Sequence, residues 1–312
     1  MLELKEQNKR GAQPLVSVAV ITYKSSKTVI ETLESIKDQS YQNVELIVSD
    51  DGSPDDTVAI CRHWIEQHQA RFIRTELITV AKNTGTSANI NRAIRAGQGD
   101  YIKVIAGDDL LEPACIQTNL DGIEDGEYAV SDIIRFDGEK ELGKPSNSDL
   151  LSAMATLPPA KRLKLFCRTM MFFNPPSGFM KATLFNKIGL YDENSTVLED
   201  VPFFVKLFKS DAKVVYIKEV TVRYRQGGIS HSPESRVWFQ KLLVESYKKY
   251  CRPHLTIWNP IDALTMIDFK FWEWAVYSTR SNWLSFYMSK NNYLHRTAYY
   301  LNRKMVRKRI NY

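Results

Sequence analysis

Over the first hundred residues, short apolar runs alternate with amphipathic stretches. Val16 to Thr22 (VSVAVIT) is β-branched and almost wholly apolar, the pattern of a strand covered on both faces in a parallel sheet. Polar Tyr23 to Ser26 interrupts it, and Ser25 or Ser26 offers an N-cap to a helix whose Val29, Ile30, Leu33 and Ile36 recur at helical spacing. Val44 to Val48 returns to a strand and completes a β–α–β unit. The rhythm then predicts a helix over 55–67, a strand over 72–79, a helix over 87–95 and a strand over 101–105. Such alternation implies an α/β fold, a mostly parallel sheet with helices on both faces.

Beyond Pro113 the rhythm loosens. It predicts a strand over 128–136, a polar loop over 137–149, a break at Pro175-Pro176, a helix over 201–209, strands over 213–217 and 220–225, and a helix over 234–250. The chain divides into a polar segment 1–13, a body 14–250 and an extension 251–312. Within the body, 14–115 reads as the nucleotide-binding half and 116–250 as a substrate-facing half. No repeats or low-complexity tracts occur.

Charge sharpens that division. The chain carries +6 in total, but residues 250–312 hold +7 and the rest −1. The extension is thus basic and aromatic, with Trp258, Trp272, Trp274, Trp283, Tyr293, Tyr299 and Tyr300 before the cluster Arg303, Lys304, Arg307, Lys308 and Arg309. It is expected to be helical. Cys61, Cys115, Cys167 and Cys251 form no local metal or redox spacing and read as reduced core thiols of a cytoplasmic protein. Neither a secretory signal nor an apolar run of membrane-spanning length is visible.

Three acidic sites end apolar strands or open helices. Asp50-Asp51-Gly52-Ser53 follows the second strand, at the carboxyl edge where open α/β sheets bind ligands, and a carboxylate there can accept from a base or ribose. Turn and cap roles for Asp50, Ser53 and Asp55 are the plainer alternative. Gly107-Asp108-Asp109 follows the strand over 101–105; two adjacent carboxylates suit a divalent cation shared with a diphosphate, or simply an acidic turn. Glu199-Asp200 precedes a helix and reads either as a dipole-favoured cap or as a carboxylate base.

Taken in order, Pro14 to Tyr23, Leu33-Glu-Ser-Ile-Lys-Asp-Gln39, Val44 to Ser53, Asn83-Thr-Gly85 with Asn91, Gly99-Asp-Tyr-Ile102 and Gly107-Asp-Asp109 resemble a family 2 glycosyltransferase of the GT-A fold. The resemblance is strongest over 14–115, continues through Ser177-Gly178 and Glu199-Asp200 to about Ser232, and is absent from the tail. It implies inverting transfer of a sugar from a nucleotide-diphosphate donor, usually a UDP-sugar, as in bacterial surface-polysaccharide and O-antigen synthesis. By the same resemblance Thr22, Tyr23 and Asp51 hold the base, and Lys82 or Asn83 presents a polar group to the nucleotide. Asp108 and Asp109 hold Mn²⁺ or Mg²⁺, Asp109 the more directly and Asp108 also towards the ribose. Asp200 is the catalytic base. Many members show Asp-x-Asp-Asp where this chain has Ala106-Gly-Asp-Asp109, so one acid is missing.

His231, in a glycine-containing loop, can reach the diphosphate or metal, or stand solvated; Ser177, Gly178 and Glu199 can line an acceptor pocket, a tight turn explaining the first two equally well. The expected acceptor is a lipid-diphosphate-linked glycan at the inner face of the membrane. The basic tail would then meet anionic lipid, or its aromatics would pack on the body. Nucleic acid is not an expected partner, although a non-catalytic nucleotide- or nucleic-acid-binding relative using its tail is the alternative reading. A sugar nucleotidyltransferase is disfavoured because Ile21 to Ser26 lacks the Gly-rich phosphate loop.

Overall fold

A nine-stranded sheet carries the site. The computed structural model describes residues 13–144, 148–170, 174–195, 198–227 and 236–278. In chain order β1 (Val16–Thr22), α1 (Val29–Lys37), β2 (Val44–Asp50), α2 (Thr57–His68), β3 (Arg74–Thr79), α3 (Thr86–Ala96) and β4 (Tyr101–Ala106) reproduce the expected alternation to within about two residues at each end. These strands are parallel in the order β3-β2-β1-β4. One expected detail differs: α1 has no side-chain cap from Ser25 or Ser26. The Ser25 carbonyl instead accepts from the Thr28 and Val29 amides, and the Thr28 hydroxyl reaches the Gly107 carbonyl at 2.7 Å.

The second half departs further from expectation. After β5 (Leu110–Leu111) and α4 (Cys115–Ile123) come β6 (Tyr128–Asp137), β7 (Lys140–Gly143), α5 (Ser148–Thr156) and α6 (Pro159–Thr169). The polar stretch 137–149 thus contains a hairpin strand rather than a loop alone, and α5 and α6 had no counterpart in the sequence reading. Then follow β8 (Phe179–Lys181), α7 (Leu184–Ile188), α8 (Asp200–Lys209) and β9 (Val214–Arg225). The two strands expected over 213–225 are one strand, bent by irregular register opposite Ser131 to Ile133. The sheet continues from β4 as β8-β6-β9-β5, with β8 antiparallel to both β4 and β6 and β7 added to β6.

Two cores cover the two faces. Val16, Val18 and Val20 pack with Leu33, Ile36, Cys61, Trp64 and Ile116 from α1, α2 and α4. Across the sheet Ile90, Ile102, Tyr128 and Val130 pack with Leu151, Met154, Phe166, Phe203, Phe204 and Phe208 from α5, α6 and α8. Phe166, Phe204 and Phe208 meet ring against ring at 5.5–5.8 Å, and each fully buried ring contributes about 2–3 kcal/mol. All four cysteines are free and buried.

The end of the body and the start of the extension are packed structure. α9 (Arg236–Ser246) runs into a wider turn at Tyr247–Cys251, and α10 (Pro260–Tyr277) starts with Asn259 capping the Ile261 and Asp262 amides. Asp262 is fully buried and accepts from Arg168 Nε at 2.6 Å, with Lys164 at 3.1 Å. Burial opposes its charge, yet these partners hold its carboxyl below the usual carboxylate range. Trp272 is buried and donates to Gln240. Residues 251–278 therefore pack on the body. The basic cluster, Trp283, Tyr293, Tyr299 and Tyr300, like residues 1–12, lie outside the described residues. Among the described residues no helix is long and apolar enough to cross a membrane.

Candidate active site

The parallel strands β1, β2 and β4 end at one edge, which carries the Asp50–Ser53 and Gly107–Asp109 motifs, while Glu199-Asp200 opens α8. At the end of β2, Asp50 is an internal brace. It accepts from the Thr22 hydroxyl at 2.8 Å, the Ser53 amide at 2.8 Å and the Ser53 hydroxyl at 2.6 Å, and it is fully buried. The turn role set against the functional one describes Asp50 and Ser53. Thr22 is buried, its hydroxyl used on Asp50 and its carbonyl on the Asp51 amide and Asn89. Tyr23 beside it is 41% exposed, an open ring at the strand edge.

Asp51 is also almost fully buried, and it organises a second loop. Its Oδ1 accepts from the Thr84 hydroxyl (2.6 Å) and Arg92 Nη2 (2.6 Å), its Oδ2 from the Thr84 and Gly85 amides (2.9 and 2.8 Å). A carboxylate has about four lone-pair sites, so Asp51 is saturated within the chain. Burial works against its charge, but the Thr84 and Arg92 bonds hold its carboxyl below the usual range. Lys82 and Asn83 are exposed at the tip of the loop it ties down. Arg92 and Thr84 were not among the sequence candidates. Arg92 follows Asn89 by three positions on α3 and bonds it at 3.1 Å, a periodicity that could have flagged them as one face.

Gly52 makes this double loop compact. Its φ is +75°, and a Cβ there would lie 2.8 Å from the Lys82 carbonyl carbon. Gly52→Ala is therefore expected to cost about 1–3 kcal/mol and to separate the two loops. A melting temperature lowered together with a raised donor KM would match; a neutral substitution would mean that the loops are not tightly apposed.

At the end of β4 the two adjacent acids differ. Asp109 is buried, its Oδ1 accepting the Arg225 amide at 2.9 Å and its carbonyl the Thr32 hydroxyl at 2.8 Å. Asp108 is half-buried, and its carbonyl accepts Arg225 Nε at 2.8 Å. Arg225 also pairs with Glu31 and lies over the Phe136 ring at 4.5 Å. Burial raises the proton affinity of both acids; at Asp109 the Asp108 charge adds to it, and Arg225 opposes the rise at both. Two hard oxygen donors whose mutual repulsion a cation would relieve fit Mg²⁺ or Mn²⁺ completed by diphosphate oxygens. Among the described residues no cluster of three or more His, Cys, Asp or Glu gathers there, and His231 lies outside them.

Asp200 opens α8, with Glu199 as the N-cap residue and no side-chain capping bond. The capping alternative is not what either carboxylate does. Burial pushes the Asp200 carboxyl up to about 7; Glu199 rises through burial and then through the Asp200 charge, and its Oε2 is buried without a hydrogen bond. Tyr128 and Tyr191 interact electrostatically with Asp200. The loop before it is pinned to α3 by Asn91, bonded to both backbone groups of Tyr191, and by the Ser87 hydroxyl on the Ser195 carbonyl.

The turn Pro175–Ser177 with Gly178 contacts residues that interact electrostatically with each acidic site, Lys103 with Asp109 and Tyr128 with Asp200. Lys103 Nζ, on a fully buried side chain that interacts electrostatically with Asp109, donates to the Pro176 carbonyl (2.5 Å) and the Gly178 carbonyl (3.3 Å). On the other side Gly178 abuts Tyr128, whose hydroxyl oxygen would lie 2.6 Å from a Cβ there. Ser177 is fully buried and bonded to Ser131 and Asn174, so it braces the turn from within and presents no group to an acceptor. Lys103 was missed, although a lysine inside the apolar run Tyr-Ile-Lys-Val-Ile-Ala is a visible anomaly.

The family model described as glycosyl transferase family 2 matches residues 17–189, more than half of the chain. The chain belongs to that family. The chain is similar to the chondroitin synthase of Escherichia coli, 36% identical over 108 residues, which are 35% of this chain and 15% of that protein. It is also similar to glycosyltransferase GlyG of Streptococcus pneumoniae, 29% identical over 39% of this chain and 40% of that protein, so these matches span less than half of the relatives' length. A glycosyltransferase of Haemophilus influenzae matches at 26% identity over 69% of this chain and 66% of its own.

Solved structures with the same architecture include S. aureus TarS 1–349 in complex with UDP, with a TM-score of 0.56, 16% identity and coverage of 88% of this chain and 76% of that one. The mannosyltransferase PcManGT from Pyrobaculum calidifontis, in complex with GDP-Man and Mn²⁺, has a TM-score of 0.60, 17% identity and coverage of 92% and 74%. At these identities the likeness establishes the fold, which is GT-A.

Proposed function

We propose that this transferase moves a sugar, with inversion, from a nucleoside-diphosphate donor, a UDP-sugar in the first instance, to a hydroxyl of a lipid-diphosphate-linked glycan. What supports it is a chain of contacts: Lys103, which interacts electrostatically with Asp109, donates to the Pro176 and Gly178 carbonyls, and Gly178 abuts Tyr128, which interacts electrostatically with Asp200. Donor and acceptor machinery would thus meet across a rigid element, in keeping with a donor half 14–115 and an acceptor half 116–250.

In this reading Tyr23 and the loops tied by Asp51 cradle the nucleotide, with Thr22 and Asp50 bracing them and Lys82 and Asn83 at the rim. Asp109 and Asp108 would hold the divalent cation, which when bound offsets charge on the departing diphosphate. His231 is assigned to the same diphosphate. Asp200 takes the proton from the attacking acceptor hydroxyl, and its raised proton affinity suits a base that works near neutral pH. A single displacement inverts the anomeric carbon. Glu199 and Gly178 belong to the acceptor side.

The test is a thermal-shift screen of UDP- and GDP-sugars with and without Mn²⁺, since a ligand at about 100 times its Kd stabilises by about 2.7 kcal/mol. Mn²⁺-dependent stabilisation by one class, followed by transfer to a lipid-linked acceptor, is the expected result. No stabilisation by any nucleotide sugar would favour the non-catalytic reading.

Attachment at the inner membrane face is assigned to the cationic end, at about 1 kcal/mol per basic residue near anionic lipid. Deleting residues 296–312 should weaken attachment to the membrane fraction and remove most of its salt dependence while sparing transfer to a short soluble acceptor analogue. Sedimentation of the truncated protein with membranes as fully as the whole chain would refute the electrostatic anchor.

A further inference from the structure

The first half of α10 is unusual for a helix packed on a water-soluble body, because it buries polar side chains and exposes an apolar one. Its carboxylates Asp262 and Asp268 face inward and are buried, whereas the exposed positions Pro260, Ile267, Lys270, Trp274 and Tyr277 fall on one stripe. Ile267 is 59% exposed, and the turn immediately before the helix presents Ile257 at 63% and Trp258 at 88%. Exposure of this kind, in a run of neighbouring large side chains, marks a surface with an occupant.

Charge indicates which occupant. Between residues 237 and 278 the side chains of Lys241, Lys248, Lys249, Arg252 and Lys270 are all exposed, and Glu245 is the one exposed acid among them. Glu245 is itself bonded to Lys248 and the Tyr277 hydroxyl, and Glu273 is paired with Lys248 and Lys270. A second copy in a two-fold contact would set these cations against themselves. The following stretch, 279–312, carries eight Lys or Arg and no acid, so it is like-charged as well. Trp and Tyr beside Lys on an apolar stripe match the headgroup region of a bilayer, where rings and lysine stems are buried and the ammonium groups stay wet.

We propose that the outward stripe of α10, with Ile257 and Trp258, docks on an anionic lipid surface, separately from the terminal basic cluster. The inference deepens, and rests on, the reading of a transferase that works at a membrane; it needs no catalytic residue. A lipid-linked acceptor would then be met in two dimensions by an enzyme held in a set orientation, because two separated attachments fix a direction where one tether does not.

The experiment is flotation of the full chain with phosphatidylglycerol/phosphatidylcholine vesicles and with phosphatidylcholine vesicles alone. Trp258→Ser combined with Ile267→Ser changes exposed side chains and should weaken binding to the anionic vesicles at least about tenfold. Lys241→Gln with Lys270→Gln should weaken it about thirtyfold and flatten its salt dependence. Melting temperature and Mn²⁺-dependent donor binding in solution should be unchanged in both, so failure of the surface is distinguishable from failure of the transferase reading. Vesicle binding that is lost on deletion of 296–312 yet unaffected by either pair would overturn the proposal. So would a dimer in sedimentation velocity that the Trp258/Ile267 pair abolishes, since a second copy would then be the occupant.

Discussion

Asp200→Asn is expected to lower kcat by about a thousandfold or more, while donor affinity stays within about twofold. The residue opens α8 and is not a bonding partner of Asp51 or Asp109, so its loss should remove the proton acceptor without breaking the bonds that hold those acids. Stability should move the opposite way. Burial raises its carboxyl to about 7 in the folded chain, above an ordinary unfolded aspartate. A group with a raised folded pKa favours folding most below its unfolded pKa, and that contribution is lost as the pH rises through the folded value. At pH 8 the ionised, desolvated side chain is therefore a cost, and the neutral amide should stabilise by about 1–3 kcal/mol. The wild-type kcat should fall as pH drops below about 7 as the base takes up its proton. An inactive variant that has also lost donor binding, or melts lower at pH 8, would make Asp200 a structural or nucleotide-holding residue.

Asp109→Asn should cut Mn²⁺-dependent transfer by about a hundredfold or more, because a neutral amide is a poor ligand for a hard cation. The fold is expected to survive. An asparagine keeps an oxygen for the Arg225 amide, and the backbone bond from Thr32 involves only the Asp109 carbonyl. Removing the buried one of these two adjacent carboxylates also relieves its repulsion with Asp108. Titration of donor binding against Mn²⁺ reads the effect directly; an unchanged Mn²⁺ requirement would move the cation to other ligands.

These results bear on different halves of the sheet, and the halves were unequally legible. The pattern of apolar runs located β1, α1, β2, α2, β3, α3 and β4, because a buried parallel strand must be continuously apolar and its crossover helix amphipathic. It also put Asp51, Asp108 and Asp200 at strand ends or a helix start, which is local information. The short strand β8, three residues long, gave no comparable signal, since its place between β4 and β6 depends on pairing with residues far along the chain. The same holds for β9, where one strand spans two expected ones because it pairs through irregular register with β6.

Side-chain partnerships were decided by tertiary structure alone. Sequence offered a turn role for Asp50 and, by resemblance, a base-holding role for Asp51; in the fold Asp50 braces Thr22 and Ser53 while Asp51 gathers Thr84, Gly85 and Arg92, because successive side chains at a strand end point in different directions. The Pro-Pro-Ser turn looked like surface punctuation, yet it is plugged between β4 and β6 by Lys103, Asn174 and Ser177. Sequence by itself determined the class of fold, the family and the identities of the acids; burial and hydrogen bonds across 28 to 117 residues of separation decided which acids are spent within the chain. The physical reason is that chain order encodes local periodicity, whereas the charge state and partners of a side chain depend on neighbours that only the folded sheet brings within reach.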